Sequence, residues 1–332
     1  MIPDTNTAYR NKRVLITGGM GFIGSNLAHR MLTLGAKVTI VDNLAPVFGG
    51  NPYNLHGIRR KVQLVKADIS DEARMARILP DQDFLFNLAG QVSHLDSMLD
   101  PLTDLRANAL GHIILLELCR KLNPTVRIIF AGTRQVYGRP HYLPVDEKHP
   151  LDPVDFNGIS KMAGEWYHMI EHQVHGLRTT SLRMTNVYGP RMRVRDARKT
   201  FIGIWFRQLI EGSEITIYGT GHQIRAFNYV EDVIDALLIA ACSPQAEGNI
   251  YNLGGQPISL LDMAQRMVKV NGSGSYRFEP FPPERQRIDI GDYYADFTKI
   301  HTQLGWSPQI PLDIGIKRTL EFYRKHQKQY FL

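Results

Sequence analysis

The stretch from Lys12 to Ala28 constrains this chain more than any other. Val14, Leu15 and Ile16 form the short apolar run that a strand buried on both faces requires. Gly18, Gly19, Gly21 and Gly24 follow, and then Ser25, Leu27, Ala28, Met31 and Leu32 recur at helical spacing. Strand, glycine turn and helix in that order make the first unit of a dinucleotide-binding fold. The first glycines allow backbone angles that a Cβ forbids and let the chain touch a pyrophosphate. The last lets the helix pack closely on the strand, and the free N–H groups at the helix start face the phosphates.

A glycine pattern of this kind is weak evidence alone, but its context supports it. A second apolar run, Lys37 to Val41, ends in Asp42, eighteen residues after Gly24. An acidic side chain there accepts hydrogen bonds from both ribose hydroxyls and repels a 2′-phosphate. That points to NAD rather than NADP.

The apolar pattern continues in the same rhythm. Val62–Lys66, Asp83–Leu88, Val126–Ala131 and Arg178–Leu182 read as further strands. Leu102, Leu105, Ala109, Ile113, Leu116 and Cys119 repeat at helical spacing up to Leu122, and Gly158–His175 reads as a long helix. This alternation predicts an α/β, Rossmann-type doubly wound parallel sheet. Beyond Asn186 glycine, proline and aromatic residues become frequent. Short strands at Glu214–Tyr218 and Ile250–Leu253 alternate with helices near Phe201–Leu209, Asp232–Ala241, Leu260–Val270 and Leu312–Tyr323. We therefore expect an NAD-binding domain over 11–185, with a segment near 222–250 returning to it. A smaller C-terminal α/β part, 186–330, is expected over the open end of the sheet.

Composition narrows the function further. The chain has 332 residues, enough for a full core, and no apolar run approaches the ~20 residues of a spanning helix. Met1–Arg10 is polar, which argues against a signal peptide or anchor. Only Cys119 and Cys242 occur, in keeping with a reducing cytoplasm. The net charge is +7, and its densest cluster is Arg191, Arg193, Arg195, Arg198 and Lys199. A loop that meets an anionic ligand and a merely solvated loop both fit it; no nucleic-acid module accompanies it. His168, His172 and His175 share one predicted helix face without a Glu-rich motif or a cysteine, so we expect a solvated or dimer-facing surface and no metal.

The whole chain resembles the extended short-chain dehydrogenases/reductases of the nucleotide-sugar epimerase/dehydratase group. The resemblance rests on Thr17-Gly18-Gly19-Met20-Gly21-Phe22-Ile23-Gly24, Asn87-Leu88-Ala89-Gly90, Val136-Tyr137-Gly138, Asn186-Val187-Tyr188-Gly189-Pro190, Arg225-Ala226-Phe227-Asn228-Tyr229 and Leu304-Gly305-Trp306. It implies cofactor contacts from Gly18, Gly21, Phe22, Ile23, Gly24, Asp42 and Asn43, with Asp68 and Ile69 at the adenine. Leu88, Ala89, Gly90 and Asn108 then line the dinucleotide. Asn186 and Arg225 are expected to hold the diphosphate of a nucleotide-sugar, with Arg287 or Arg285 as a second basic group. The resemblance also implies a homodimer, built on the helices matching Leu102–Leu122 and Gly158–His175. Leu105, Ile113, Leu116 and Trp166 suit that interface or the sheet equally.

The catalytic trio implied by the resemblance is a Ser or Thr, a Tyr, and a Lys four residues later. Thr133 and Lys161 match the first and third members, but the second falls on Asn157. An amide is no general base near neutral pH. Three readings stay open. His94, Asp155, Tyr137 or Lys161 does the proton work; or the protein binds cofactor and sugar without turnover; or the substrate needs no strong base. His94 follows Asn87-Leu88-Ala89-Gly90, where the family's substrate loop is expected, and a histidine has a suitable pKa range. Relatives that eliminate water or carbon dioxide carry an acidic residue just before Val-Tyr-Gly. Here those positions are Arg134 and Gln135, which favours epimerisation at C4 by oxidation and re-reduction over dehydration or decarboxylation.

Overall fold

The computed structural model describes residues 5–46, 48, 50–196 and 200–331. Its centre is a seven-stranded sheet of β1 (Arg13–Thr17), β2 (Lys37–Asp42), β3 (Gln63–Lys66), β4 (Phe84–Asn87), β5 (Arg127–Thr133), β6 (Arg178–Met184) and, after three intervening strands, β10 (Ile250–Asn252). The order is β10-β6-β5-β4-β1-β2-β3, and every pairing is parallel. The two-residue side-chain period divides the core between its faces. Val14 and Ile16 of β1 join the cluster under the helices Phe22–Thr33 and Val230–Cys242. Leu15 between them joins the opposite cluster, with Leu115, Leu116 and Cys119. Each such side chain withdrawn from water contributes roughly 1.5–3 kcal/mol before entropy is counted.

The remaining strands are β7 (Asn186–Tyr188), β8 (Ile215–Tyr218), β9 (Ile224–Tyr229), β11 (Pro257–Ser259) and β12 (Tyr276–Glu279). Strands β11, β9 and β7 form one small sheet, and β12 pairs with β8. Helices Phe201–Ile210, Leu260–Asn271 and Leu312–Lys325 enclose a separate core around Trp205, Phe206, Met263, Ile316 and Tyr323. Strands β7, β9, β11 and β12 escape the sequence reading because they are three to six residues long and lack clean alternation. The chain order reverses beside β1, whose neighbours are β2 and β4. A crevice opens at the carboxyl ends of these strands, as such a reversal requires.

Two helices differ from the expectation in ways that matter. The expected helix Leu102–Leu122 is three pieces, Pro101–Leu105, a π-turn at Arg106–Leu110, and Gly111–Leu122. The widened turn carries Asn108, whose amide binds both backbone groups of Gln91. The second helix spans Phe156–His175, starting under the cap of Asp155, whose carboxylate accepts the Gly158 N–H at 2.7 Å. On it, His168 is not at a surface. It is fully buried, stacked on Phe130, and in hydrogen-bond contact with Asn87 and the Gly164 carbonyl. Burial pushes its imidazole down to about 4, so it is a neutral core residue. No group of three or more potential metal ligands occurs among the described residues.

Candidate active site

One cleft of about 810 Å³ runs along the carboxyl ends of the strands and under the smaller C-terminal part. Its first wall is the glycine turn. Gly18 has φ +66°, and a Cβ there would lie 2.9 Å from the Leu88 carbonyl. A Cβ on Gly24 would lie 2.4 Å from the Gly18 carbonyl oxygen. No other residue fits either place without moving backbone. Thr17 anchors this turn to β4, accepting the N–H groups of Leu88 and Ala89 at 3.0 and 3.1 Å. Gly21, Phe22 and Ile23 open the next helix on the same wall.

At the far end Asp42 is buried at the tip of β2. Its carboxylate accepts the backbone N–H groups of Met20 and Leu44, both at 2.9 Å. Burial raises its pKa, and these bonds offset part of that. Asn43 donates to Asp68 at 2.8 Å, and Asp68 also accepts from Ser70. Burial works to raise the Asp68 carboxyl, yet these donors hold its net shift downward. Asp68, Ile69, Leu88, Ala89 and Gly90 continue the wall.

The opposite end gathers Thr133, Lys161, Asn157 and His94. Lys161 is buried, its Nζ 3.5 Å from the Ala131 carbonyl, and Gly90 leaves room for it and Asn108. Burial lowers the amine to about 8, opposed by Asp104. Asn157 and Asn108 form a matched pair: each amide donates to the Gln91 carbonyl and to Oδ1 of Asp104, at 2.9–3.0 Å. Asn157 is thus a buried strut, with both its amide protons engaged. Gln91 and Asp104 are residues that motif reading missed. They lie 66 and 53 positions from Asn157, and no local pattern marks them.

His94 faces Asp155, with Nδ1 3.0 Å from Oδ2 though out of line for an aligned hydrogen bond. Asp155 is shielded from solvent and also accepts from Gln135 at 2.9 Å. The Gln135 backbone N–H donates to Thr133 at 3.2 Å. Tyr137 is fully buried and bonded to Asn252 and Arg183, a packing role.

The basic groups gather toward the C-terminal part. Arg225 lies in the wall, donating to the Ile224 and Gly291 carbonyls and paired with Asp289 at 3.3 Å. Burial lowers its pKa, and Asp289 opposes that. Asn186 lines the cleft with its amide donating to Ala226, and Arg134 approaches its oxygen at 3.5 Å. Arg287 does not reach the wall and is exposed, because the short helix Pro283–Gln286 turns Arg285 inward over Tyr218 instead. Arg191, Arg193 and Arg195 line the cleft as well, with Arg191 donating to Asn26 and Arg195 to the Gln329 and Tyr330 carbonyls. Arg198 and Lys199 lie outside the described residues.

A family model described as the NAD dependent epimerase/dehydratase family matches residues 14–254, from β1 through the last strand of the central sheet. The chain belongs to this family. It is 34% identical over 321 residues to a putative UDP-glucose 4-epimerase of Methanocaldococcus jannaschii, covering 95% of this chain and 99% of that one. It is 30% identical to UDP-glucuronic acid decarboxylase 1 of Xenopus tropicalis, covering 95% of this chain and 72% of that protein. Among solved structures, a UDP-glucose 4-epimerase from Thermotoga maritima with UDP-glucose superposes with a TM-score of 0.87 at 30% identity, over 95% of this chain and 99% of that one. For a member of this NAD-dependent family the glycine wall has a plain meaning. The volume that Cβ atoms at positions 18 and 24 would take is needed by the backbone itself, and the turn it forms fits a dinucleotide.

Proposed function

We propose that this chain is an NAD-dependent nucleotide-sugar epimerase acting at C4. The observation that carries this reading is the distribution of acids on the cleft wall. Asp42 and Asp68 sit at the far end, and Asp289 is paired with Arg225. Arg134 and Gln135 follow Thr133, where elimination would need an acid to protonate a leaving group. Oxidation and re-reduction need only one group that takes and returns a hydroxyl proton.

In this reading NAD supplies the chemistry of hydride acceptance and return. Gly18, Gly21, Phe22, Ile23 and Gly24 hold its pyrophosphate. Asp42 takes the adenosine ribose, Asn43, Asp68 and Ile69 bound the adenine, and Leu88, Ala89 and Gly90 line the rest. Lys161, against Gly90, holds the nicotinamide end, whereas Asn108 is fully buried, off the cleft wall, and braces Gln91 behind it. Thr133 bonds the reacting sugar hydroxyl. Arg225, Arg285 and Asn186 take the diphosphate, since guanidinium forks match phosphate oxygens. The labour divides accordingly, with 11–185, the helix Val230–Cys242 and β10 for NAD and the rest of 186–330 for the sugar nucleotide.

The test is incubation with NAD and a panel of nucleotide-sugars in heavy water, read by NMR and mass spectrometry. A C4 epimer without solvent deuterium on carbon supports the reading. Loss of water or carbon dioxide moves the protein to the elimination branch. Binding without conversion makes it a silent binder.

Asp42 gives a second check. Asp42→Asn keeps its shape and removes the charge that favours ribose hydroxyls over a phosphate. NAD affinity is expected to fall on the order of 10-fold or more, with discrimination against NADP narrowed. Parallel titrations with both dinucleotides measure this; unchanged preference would remove Asp42 from the selectivity role.

We also propose a homodimer. Leu102, Leu105, Ile113, Ile159, Trp166 and Ile170 are all exposed on the segments flanking the π-turn and on Phe156–His175, whereas Leu116 is buried. A row of apolar side chains of this size marks an interface. Sedimentation at micromolar protein is expected to give twice the monomer mass. No helix among the described residues is long and apolar enough to cross a membrane. With neither cysteine in a disulfide, we place the protein in the cytoplasm.

A further inference from the structure

We propose that His94, positioned by Asp155, accepts and returns the proton of the reacting sugar hydroxyl, the task Asn157 is unable to perform. The proposal rests on the epimerase reading and names the group that completes it.

Four other groups stand near enough to be considered, and the structure gives each a different occupation. Asn157 spends both amide protons on Gln91 and Asp104. The Tyr137 hydroxyl donates to Asn252 and accepts from Arg183, each at 2.7 Å, and the side chain is off the cleft wall. Burial also drives that phenol up to about 12. Lys161 lies against Gly90 and Asn108 at the nicotinamide end, where its use is as a donor. Asp155 has Oδ1 on the Gly158 N–H and Oδ2 between Gln135 and His94, so no oxygen of it faces the cleft.

His94 is on the wall and about one-third exposed, with 35% of its side chain open. Its Nδ1 faces Asp155, which leaves Nε2 as the nitrogen for a ligand. A continuous set of contacts joins it to Thr133: His94 to Asp155, Asp155 to Gln135, and Gln135 N–H to the Thr133 hydroxyl. The two groups that would touch the sugar hydroxyl are therefore ends of one short network. A buried carboxylate behind an imidazole orients the ring and stabilises its protonated form. Burial works to raise the Asp155 carboxyl, yet His94, Gly158 and Gln135 bring its net shift downward, so it stays ionised.

The step balances. The sugar O–H bond breaks and its proton goes to Nε2. The C4–H bond breaks with its electron pair, which leaves as hydride to NAD, and the C4–O bond becomes a carbonyl. After the keto-sugar presents its other face, hydride returns to C4 and Nε2 returns the proton to oxygen. His94 ends as it began.

The experiment uses the NAD-loaded protein and a sugar nucleotide that the wild type converts. Absorbance of the reduced cofactor after mixing reads the first half-reaction, and calorimetry reads binding. His94→Gln is expected to bind the sugar nucleotide within about threefold of wild type while slowing cofactor reduction roughly 10²–10⁴-fold. Imidazole in the buffer is expected to restore part of the rate to His94→Gly.

Asp155→Asn keeps the helix cap and removes the charge. Without the charge of Asp155 the ring loses the carboxylate that orients it, so cofactor reduction is expected to slow while sugar-nucleotide binding stays within about threefold of wild type. That split between rate and binding separates positioning from a merely structural role. Wild-type reduction rates in His94→Gln would overturn the proposal. A wild type that binds every sugar yet never reduces its cofactor would instead overturn the epimerase reading, and this role with it.

Discussion

Gly24→Val is expected to abolish NAD binding, with an affinity loss of at least ~100-fold, about 2.7 kcal/mol. A single Cβ at this place lies 2.4 Å from the Gly18 carbonyl oxygen and 2.8 Å from the Gly19 Cα. Both are backbone atoms, so no side-chain rotation relieves the contact. The helix Phe22–Thr33 must slide away from β1, carrying its first N–H groups off the place where a pyrophosphate would sit. Overpacking of this kind also costs roughly 1–3 kcal/mol of stability. Gly57→Ala is the control. Its φ is +82° and nothing lies within 4 Å of the added Cβ, so it suffers backbone strain without touching the turn. Titration calorimetry with NAD is expected to show loss for Gly24→Val and wild-type affinity for Gly57→Ala. Equal losses would mean that general destabilisation, and not the turn, controls binding.

What was legible in the chain follows the range of the forces concerned. The first six strands of the central sheet and the glycine turn are local patterns, a period of two or 3.6 residues punctuated by glycine, and they read directly. The π-turn does not, because Leu102, Leu105, Ala109, Ile113 and Leu116 keep an apolar face whether or not one turn is widened. Its signal is the Asn108–Gln91 pairing, which exists only after β4 and the helices assemble. Asn157 was visible as a departure from a motif. Its pairing with Asp104 and Gln91 was not, since Asp104 comes from the helix Pro101–Leu105 packed across it and Gln91 from the loop after β4. The histidines 168, 172 and 175 share a helix face, but Phe130 and Asn87 from neighbouring strands bury the first. Arg285 and Arg287 are indistinguishable in sequence, and one short helix decides which of them meets the cleft.

Glu165→Ala is expected to be the most damaging single change to stability, costing about 3–5 kcal/mol. Glu165 and Arg183 are almost wholly buried, with 0% and 2% of their side chains exposed. They share a fork of bonds, Nη2 to Oε1 at 2.5 Å and Nε to both carboxylate oxygens at 3.1 Å. Ser181 adds a bond to Oε2, and Arg183 reaches on to the Tyr137 hydroxyl. A buried pair of this kind adds little over an apolar pair of equal volume, but removing one partner strands the other. In Glu165→Ala the Arg183 guanidinium would be left in the core with only a phenol to receive it. The melting temperature is expected to fall by roughly 4–7 °C. The double variant Glu165→Leu with Arg183→Met is expected to recover much of that loss, since it leaves no charge behind. Gly132 of β5 lies opposite Arg183 in β6, and Thr133 is the next residue, so the pair also braces the strand end that presents the reactive hydroxyl. Glu165→Ala is thus expected to weaken sugar-nucleotide binding at temperatures where the protein is still folded. Thermal unfolding and calorimetry on both variants decide it: an unchanged melting temperature in the single variant would show that water or a shifted side chain satisfies Arg183.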